Sequence, residues 1–270
     1  MPLFVCSLPI GHQQDITHRV RDCLTTVNVI FCEDTRVTKR LLQQMGIFKS
    51  QQLIRMDQYQ EKRSLDIFDR MATDQDVAYV SDAGAPGLAD PGALLVAHAR
   101  SQAIPVHILP GASALTTFIS GCGCLFSDFY FGGFLPKKQS DAMSKLDFVI
   151  ASRMVGIWFE SPKRVLGIVE MLYRFHPDLP VVFAKELTKP HDAFFVGTVA
   201  QISNQLSSVM IKGEWVFMID ARHYIIDQTP QYKAIATALK VAELSGKQVK
   251  QLAPLFDCKK NDLYEYYQQL

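Results

Sequence analysis

A chain of 270 residues, 48% hydrophobic and 20% charged, is long enough for two ordinary buried cores and has the balance of a globular protein in water. Its formal charge of +1 neither demands nor excludes a nucleic-acid partner, because a local basic patch matters more than the total. No apolar run approaches the length of a bilayer span, the six cysteines form no CxxC pair and the seven histidines no HxxxH pair; this argues against a membrane protein, a disulfide scaffold and a metal site, and for reduced thiols in the cytoplasm.

The first eleven residues are apolar, broken by prolines and without a basic leader, so they predict a strand over Leu3 to Leu8 and not a signal peptide. Pro9-Ile10-Gly11-His12 is the turn after it, and Asp15 is placed to cap a helix reaching about Leu24, with Thr17 in its first turn. Val27 to Cys32 predicts a second strand, ended by the polar cluster Glu33-Asp34-Thr35-Arg36, and a helix from Val37 to Met45 closes on Gly46. A third helix is predicted over Asp57 to Ala72.

An apolar run ending in Val77-Ala78-Tyr79 then opens into Ser81 to Gly92, a loop holding Asp82 and Asp90 with three glycines and two prolines, before a helix from Ala93. Such a loop brings bare backbone up to a ligand, although taken alone it is a surface turn. With no Lys or Arg in it, it is not a phosphate cradle and suits a ligand bearing hydroxyls or positive charge. Ile104 to Leu109 predicts another strand, followed by Pro110 to Ala114 and a helix from Leu115 to Ser120. Strands alternating with helices predict an α/β fold with a mostly parallel sheet, whose ligand site lies beyond the C-terminal strand ends. Pro9 to Thr17, Glu33 to Arg36, Ser81 to Gly92 and Pro110 to Ala114 are four such ends.

After Gly121-Cys122-Gly123 the style changes: Phe129 to Lys138 is aromatic and then basic. A helix is predicted over Asp141 to Ile150, a strand over Val155 to Phe159 ending in Glu160-Ser161-Pro162-Lys163-Arg164, and a helix over Val165 to Phe175. Val181 to Ala184, running into Lys185 to Lys189, Phe194 to Val199 and Trp215 to Ile219 are further strands. Tyr232 to Leu244, Lys247 to Phe256 and Asn261 to Leu270 predict three helices; the last two have helix-turn-helix spacing, and a small capping bundle fits them equally. The expected organisation is an α/β domain over 1–122, a second over 123–226 and a small helical segment over 227–270.

The turn after the first strand lacks GxGxxG, and neither a P-loop nor a GxSxG elbow occurs, so dinucleotide binding, phosphoryl transfer and serine hydrolysis lose their usual support. Charged clusters at strand ends remain. Each is, by itself, an exposed ion pair worth about 0–1 kcal/mol; gathered around one cleft they make an acid/base and phosphate-positioning surface.

The ordered series PIGHQQDIT (9–17), EDTR (33–36), SDAGAPGLADPG (81–92), PGASA (110–114), FGGFLPKK (131–138), FESPKR (159–164), KELTKPHD (185–192) and KGEWV (212–216) resembles the RsmI family of S-adenosylmethionine-dependent small-subunit ribosomal RNA methyltransferases. The resemblance implies the tetrapyrrole-methylase (class III methyltransferase) fold, two α/β domains with the cofactor cleft between them, over roughly residues 3 to 220. It implies methyl transfer to the ribose 2′-oxygen of a cytidine in the decoding region of 16S rRNA, in the assembled small subunit, by a homodimer. Carried over by position, Gly84, Ala85, Pro86 and Ala89 contact the cofactor with Asp82 and Asp90 in support, Leu8, Pro9, Ser113 and Ala114 add contacts, and Phe159 and Trp215 close the site. The chain departs from the family at His12, Gln13, Ala85 and Lys163, where the family usually has Asn, Leu, Thr and His. Losing the Thr hydroxyl removes one hydrogen bond of about 0.5–1.5 kcal/mol.

A ribose hydroxyl is a poor nucleophile and needs a base or a nearby cation. Glu33 or Glu186 is the expected base, with Arg36, Lys185 or Lys189 beside the developing oxyanion and the phosphate, and Lys137, Lys138, Lys163 and Arg164 on the RNA backbone. A methyltransferase of tetrapyrroles or other small molecules, and a catalytically silent protein that binds S-adenosylmethionine or RNA, share the fold. The basic FLPKK and ESPKR segments favour RNA, and the retained EDTR and KELTK argue for catalysis.

Overall fold

The computed structural model describes residues 2–56, 61–71, 75–88, 92–225, 229–256 and 258–269, so the expected contacts Ala89 and Asp90, and the ends of the helix expected over Asp57 to Ala72, lie outside the described residues. The chain forms two compact units, residues 1–224 and 225–270.

The first unit opens with β1 (Leu3–Cys6), α1 (His18–Thr26), β2 (Val29–Cys32), α2 (Thr35–Gln44), β3 (Gln52–Arg55), α3 (Glu61–Met71), β4 (Val77–Val80), α4 (Gly92–Ser101), β5 (Val106–Leu109) and α5 (Ala114–Gly121). Its strands form a five-stranded sheet in the order β3-β2-β4-β1-β5, and every pair is parallel. Alternation along the strands feeds two cores. Leu3, Val5, Val29, Phe31, Val77 and Tyr79 pack with Phe68 of α3 and Leu95 of α4. Cys6, Ile30, Cys32, Ala78 and Val80 pack with Val20 and Leu24 of α1 and Leu42 of α2. A parallel sheet covered on both faces has apolar residues at every strand position, as in the fully buried VIFC and VAYV strands.

The helix expected to begin at Asp15 begins later. The His12 ring accepts the Gln14 amide and seats Gln13–Asp15 in a separate 3-10 turn, while Thr17 Oγ1 accepts the Val20 amide and caps α1.

The chain continues with β6 (Tyr130–Phe134), α6 (Gln139–Ala151), β7 (Val155–Glu160), α7 (Pro162–Phe175), β8 (Pro180–Lys185), β9 (Ala193–Thr198), α8 (Val199–Leu206) and β10 (Trp215–Asp220). These strands form a second five-stranded sheet, β6-β7-β10-β8-β9, parallel only at β6-β7 and antiparallel elsewhere. One face buries Trp158, Phe183 and Phe217 against α6, α7 and α8. The other buries Ile157, Val182, Ala184, Val216 and Met218 against Ile10, Leu115 and Phe118. The turn after β1 and helix α5 thus share a core with the second sheet, and the His12 amide donates to Thr188 Oγ1 at 3.0 Å across the same boundary.

The second unit consists of α9 (Thr229–Val241), α10 (Gly246–Leu252), a 3-10 turn at Ala253–Phe256 and α11 (Lys260–Gln269). Tyr232, Ala236, Leu239, Val249, Ala253 and Leu263 form its core. Among the described residues no helix is long and apolar enough to cross a membrane.

Candidate functional site

A cavity of about 440 Å³ lies where the C-terminal ends of the parallel strands meet the second sheet. Ile10 follows β1, Glu33 follows β2, Ser81, Asp82, Gly84, Ala85 and Leu88 follow β4, and Ser113 and Ala114 follow β5. Phe134 ends β6, Phe159 and Glu160 end β7, and Gly213 to Val216 lead into β10. All four strand ends singled out in the sequence contribute.

The loop after β4 is shaped by its neighbours. Leu8 and Gly84 form an antiparallel bridge, Leu8 N donating to Gly84 O at 2.9 Å and Gly84 N to Leu8 O at 3.1 Å. Gly84 has φ 73°, and a Cβ there would stand 3.1 Å from the Ile10 methyl. Ser81 Oγ donates to the Ala83 and Gly84 carbonyls and tightens the same turn. Leu8 and Pro9 are themselves buried and do not line the cavity; Leu8 acts through this bridge. Pro86 is half-buried beside the cavity-lining Ala85 and does not line it.

Two carboxylates at the ends of β2 and β4 are tied together. The Asp82 amide donates to Glu33 Oε2 at 3.4 Å and the Asp34 amide to Asp82 Oδ1 at 3.1 Å. Burial pushes the Asp82 carboxyl above its ordinary value against the lowering effect of that Asp34 amide. Asp34 caps α2 through the Arg36 amide. The Arg36 guanidinium, in a forked pair at 3.0 and 2.6 Å, holds the Asp34 carboxyl far below the usual range. Arg36 is exposed outside the cavity lining.

Glu186 and Lys189 do not line the cavity either; they brace its far wall. Glu186 Oε1 accepts Lys189 Nζ at 2.7 Å and the Glu214 amide at 2.9 Å, and Lys189 reaches Glu214 Oε2 at 3.0 Å. Burial alone raises the Glu186 carboxyl, but the Lys189 ammonium and the Glu214 amide hold it below its ordinary value. Gly213, at φ 76°, leaves room for this: a Cβ would stand 2.1 Å from Glu186 Cδ. Trp215 is fully buried, its Nε1 donating to the Lys212 carbonyl at 3.0 Å, and Phe159 meets Phe131 and Phe134 edge-on at the rim.

Two lining carboxylates were not among the residues singled out for the site: Glu160 and Glu214. Glu160 is 3% exposed, with Oε1 on the Ser161 amide at 2.8 Å and Oε2 3.5 Å from Arg164. The available signal was its place at a strand end next to Phe159, four residues before an arginine. With Glu33 and Asp82 they make four carboxylates, and the lining includes no Lys, Arg or His among the described residues.

The cations gather elsewhere. Lys137, Lys163 and Arg164, with Arg174, line a separate groove of about 540 Å³ between α6 and α7, and Lys138 is exposed at the start of α6. Arg164 is committed to the fold within it, donating to the Leu135 and Pro136 carbonyls at 2.8 and 2.6 Å.

The profile of the tetrapyrrole (corrin/porphyrin) methylases matches residues 2–203. A Helicobacter pylori protein named ribosomal RNA small subunit methyltransferase I is 33% identical over 235 residues, 80% of this chain and 81% of that protein. Among solved structures, diphthine synthase superposes with a TM-score of 0.64 at 13% identity, covering 82% of this chain and 90% of that one. Uroporphyrin-III C-methyl transferase from Thermus thermophilus, complexed with S-adenyl homocysteine, gives 0.55 at 13% identity, covering 81% and 97%. A cavity at the strand ends of a parallel sheet, walled by a second mixed sheet, and a sequence match over most of both chains lead to one conclusion: the chain belongs to the tetrapyrrole (corrin/porphyrin) methylases and, within them, to the ribosomal RNA small subunit methyltransferase I family of methyltransferases.

Proposed function

We propose that this chain uses S-adenosylmethionine to methylate the ribose 2′-oxygen of a cytidine in the decoding region of 16S rRNA, acting as a homodimer on the assembled small subunit. The observation that carries this function is the segregation of charge: a cavity lined by Glu33, Asp82, Glu160 and Glu214 stands apart from a groove lined by Lys137, Lys163, Arg164 and Arg174 against the single carboxylate Glu170. The first suits a small cationic donor and the second a polyanion. The name borne by the Helicobacter pylori relative favours ribosomal RNA as that polyanion.

The residues present fit the donor. About 440 Å³ is a usual size for a small-molecule site, the bare backbone around Gly84 admits close approach, and Ile10, Leu88 and Phe159 supply apolar contact. When bound, S-adenosylmethionine supplies an electrophilic methyl group on a positively charged sulfur. Glu33 accepts the proton released from the ribose hydroxyl as its oxygen takes the methyl. The Asp82 amide orients Glu33 for this. Glu186 is the weaker candidate for the base, since Lys189 and the Glu214 amide lower its affinity for a proton and it lies outside the cavity lining. Glu186 and Lys189 are assigned to holding Gly213 to Trp215 in place, and Phe159 and Trp215 to excluding water from the donor. Exposed Arg36, with Lys137, Lys138 and Lys163, is assigned to phosphates.

The test is methyl transfer to purified small subunits, with 2′-O-methylation mapped on 16S rRNA. Modification at a single decoding-region cytidine is expected; transfer to a tetrapyrrole acceptor but not to subunits would overturn the proposal. Replacing Lys137, Lys138 and Lys163 together by Ala is expected to lower the slope of log affinity against log salt by about 2, at about 0.7 per single-strand contact.

A further inference from the structure

Helix α2 leaves the cavity wall at Glu33 and carries a second groove away from it. That groove, about 560 Å³, runs between α2 and the 47–51 loop and is lined by Arg36, Lys39, Lys49 and Phe48 over the apolar Leu42 and Ile47. From Thr35 to Met56 the sequence holds five cations, Arg36, Lys39, Arg40, Lys49 and Arg55, and no Asp or Glu, although the whole chain has a net charge of only +1. Arg36, Lys39 and Arg40 fall on the exposed side of one helix, at spacings of three and four. Phe48 is 82% exposed in the middle of this charge. Leaving a large aromatic ring in water has no folding benefit, whereas a ring among cations is the arrangement that holds a single nucleic-acid strand: phosphates on the cations, a base on the ring. An acidic protein surface would satisfy the cations but has no comparable use for one isolated ring.

Resting on the ribosomal RNA substrate proposed above, we infer that this groove binds the single-stranded RNA flanking the target nucleotide, with an unpaired base stacked on Phe48 and the backbone on Lys39 and Lys49 in the groove and on Arg40, exposed beside it on α2. Thr35 and Arg36 line the groove and Glu33 lines the cavity, so a strand lying along α2 delivers a neighbouring ribose to Glu33. The groove between α6 and α7 then takes a different part of the same RNA.

Two variants of the full chain test this, Phe48→Ala and the triple Lys39→Ala/Arg40→Ala/Lys49→Ala, each first checked for unchanged thermal midpoint and unchanged calorimetric affinity for S-adenosylhomocysteine. Binding to a fluorescent single-stranded oligoribonucleotide of the decoding-region sequence is then followed against salt. Phe48→Ala is expected to weaken binding about tenfold with an unchanged salt slope. The triple variant is expected to lower the slope by about 2. Unchanged affinity in Phe48→Ala together with an unchanged slope in the triple variant overturns the inference. So does a triple variant that loses affinity for intact small subunits but not for the protein-free oligonucleotide, which would assign the groove to an acidic protein. Because binding is read without catalysis, a wild-type protein that binds the oligonucleotide through Phe48 yet methylates no subunit would reject the proposed reaction and keep the groove.

Discussion

The backbone amide of Asp82, after β4, donates to the carboxylate of Glu33, after β2, at 3.4 Å, so one strand end aims the acid carried by the other. In Glu33→Gln an oxygen remains for that amide, but the side chain no longer takes a proton. Single-turnover methyl transfer is therefore expected to fall by about 10²-fold or more with the affinity for S-adenosylhomocysteine preserved. Glu186→Gln is expected to keep the chemical step within about threefold and to lower thermal stability, since it weakens the clamp on Lys189 and the Glu214 amide. A full-speed Glu33→Gln protein removes Glu33 as the base.

Arg164 holds the Leu135 and Pro136 carbonyls and stands 3.5 Å from Glu160, whose side chain is 1% exposed. Arg164→Met leaves that carboxylate buried without its cation, and a loss of about 3–5 kcal/mol is expected by urea denaturation. Adding Glu160→Gln should recover part of it. A single variant as stable as wild type would show that the pair contributes nothing.

At Gly84, Ala would have to adopt φ 73° with its methyl 3.1 Å from the Ile10 side chain. The left-handed backbone costs about 1–2 kcal/mol and is relieved most easily by breaking the bridge to Leu8. Gly84→Ala is expected to lower the thermal midpoint and to weaken S-adenosylhomocysteine binding by about tenfold. Ala85→Thr, which restores the hydroxyl usual in the family, is expected to bind it several-fold more tightly, at about 0.5–1.5 kcal/mol.

His176 closes α7 with its ring buried, Nδ1 3.3 Å from the Tyr224 hydroxyl and Nε2 3.9 Å from Asp147. Burial pushes the imidazole below its ordinary 6.5, outweighing the upward pull of Asp147. The folded protein thus prefers the neutral ring, and on acidification the unfolded chain takes the proton first. This contribution to stability is whole above pH 6.5 and is lost as pH falls below it. His176→Gln should shrink the difference in unfolding free energy between about pH 7.5 and 5.5; an equal difference in both proteins would exclude His176 as the source.

Most element types were legible because they depend on local pattern. VIFC and VAYV are apolar at every position, as buried parallel strands must be, and Asp34 and Gly46 bracket α2 as cap and terminator. β3 was missed: QLIR is a four-residue edge strand with polar ends, recognisable only once β2 pairs with it. α8 was missed although Thr198 and Gln201 spell a capping box, since its eight residues follow β9 without a turn.

The sequence alone determined that three corners rich in Gly or Pro and one charged corner, Glu33 to Arg36, end the strands of a parallel sheet, because backbone freedom and strand periodicity are properties of neighbours in the chain. The tertiary structure decided which charges face the cavity. Glu33 and Glu186 look alike in their strand-end clusters, but Glu33 lines the cavity and Glu186 is turned onto Lys189 and the Glu214 amide. Glu186 is turned by its φ of 52° and by the Glu214 amide, 28 residues further on, a contact between distant parts of the chain that no local periodicity encodes.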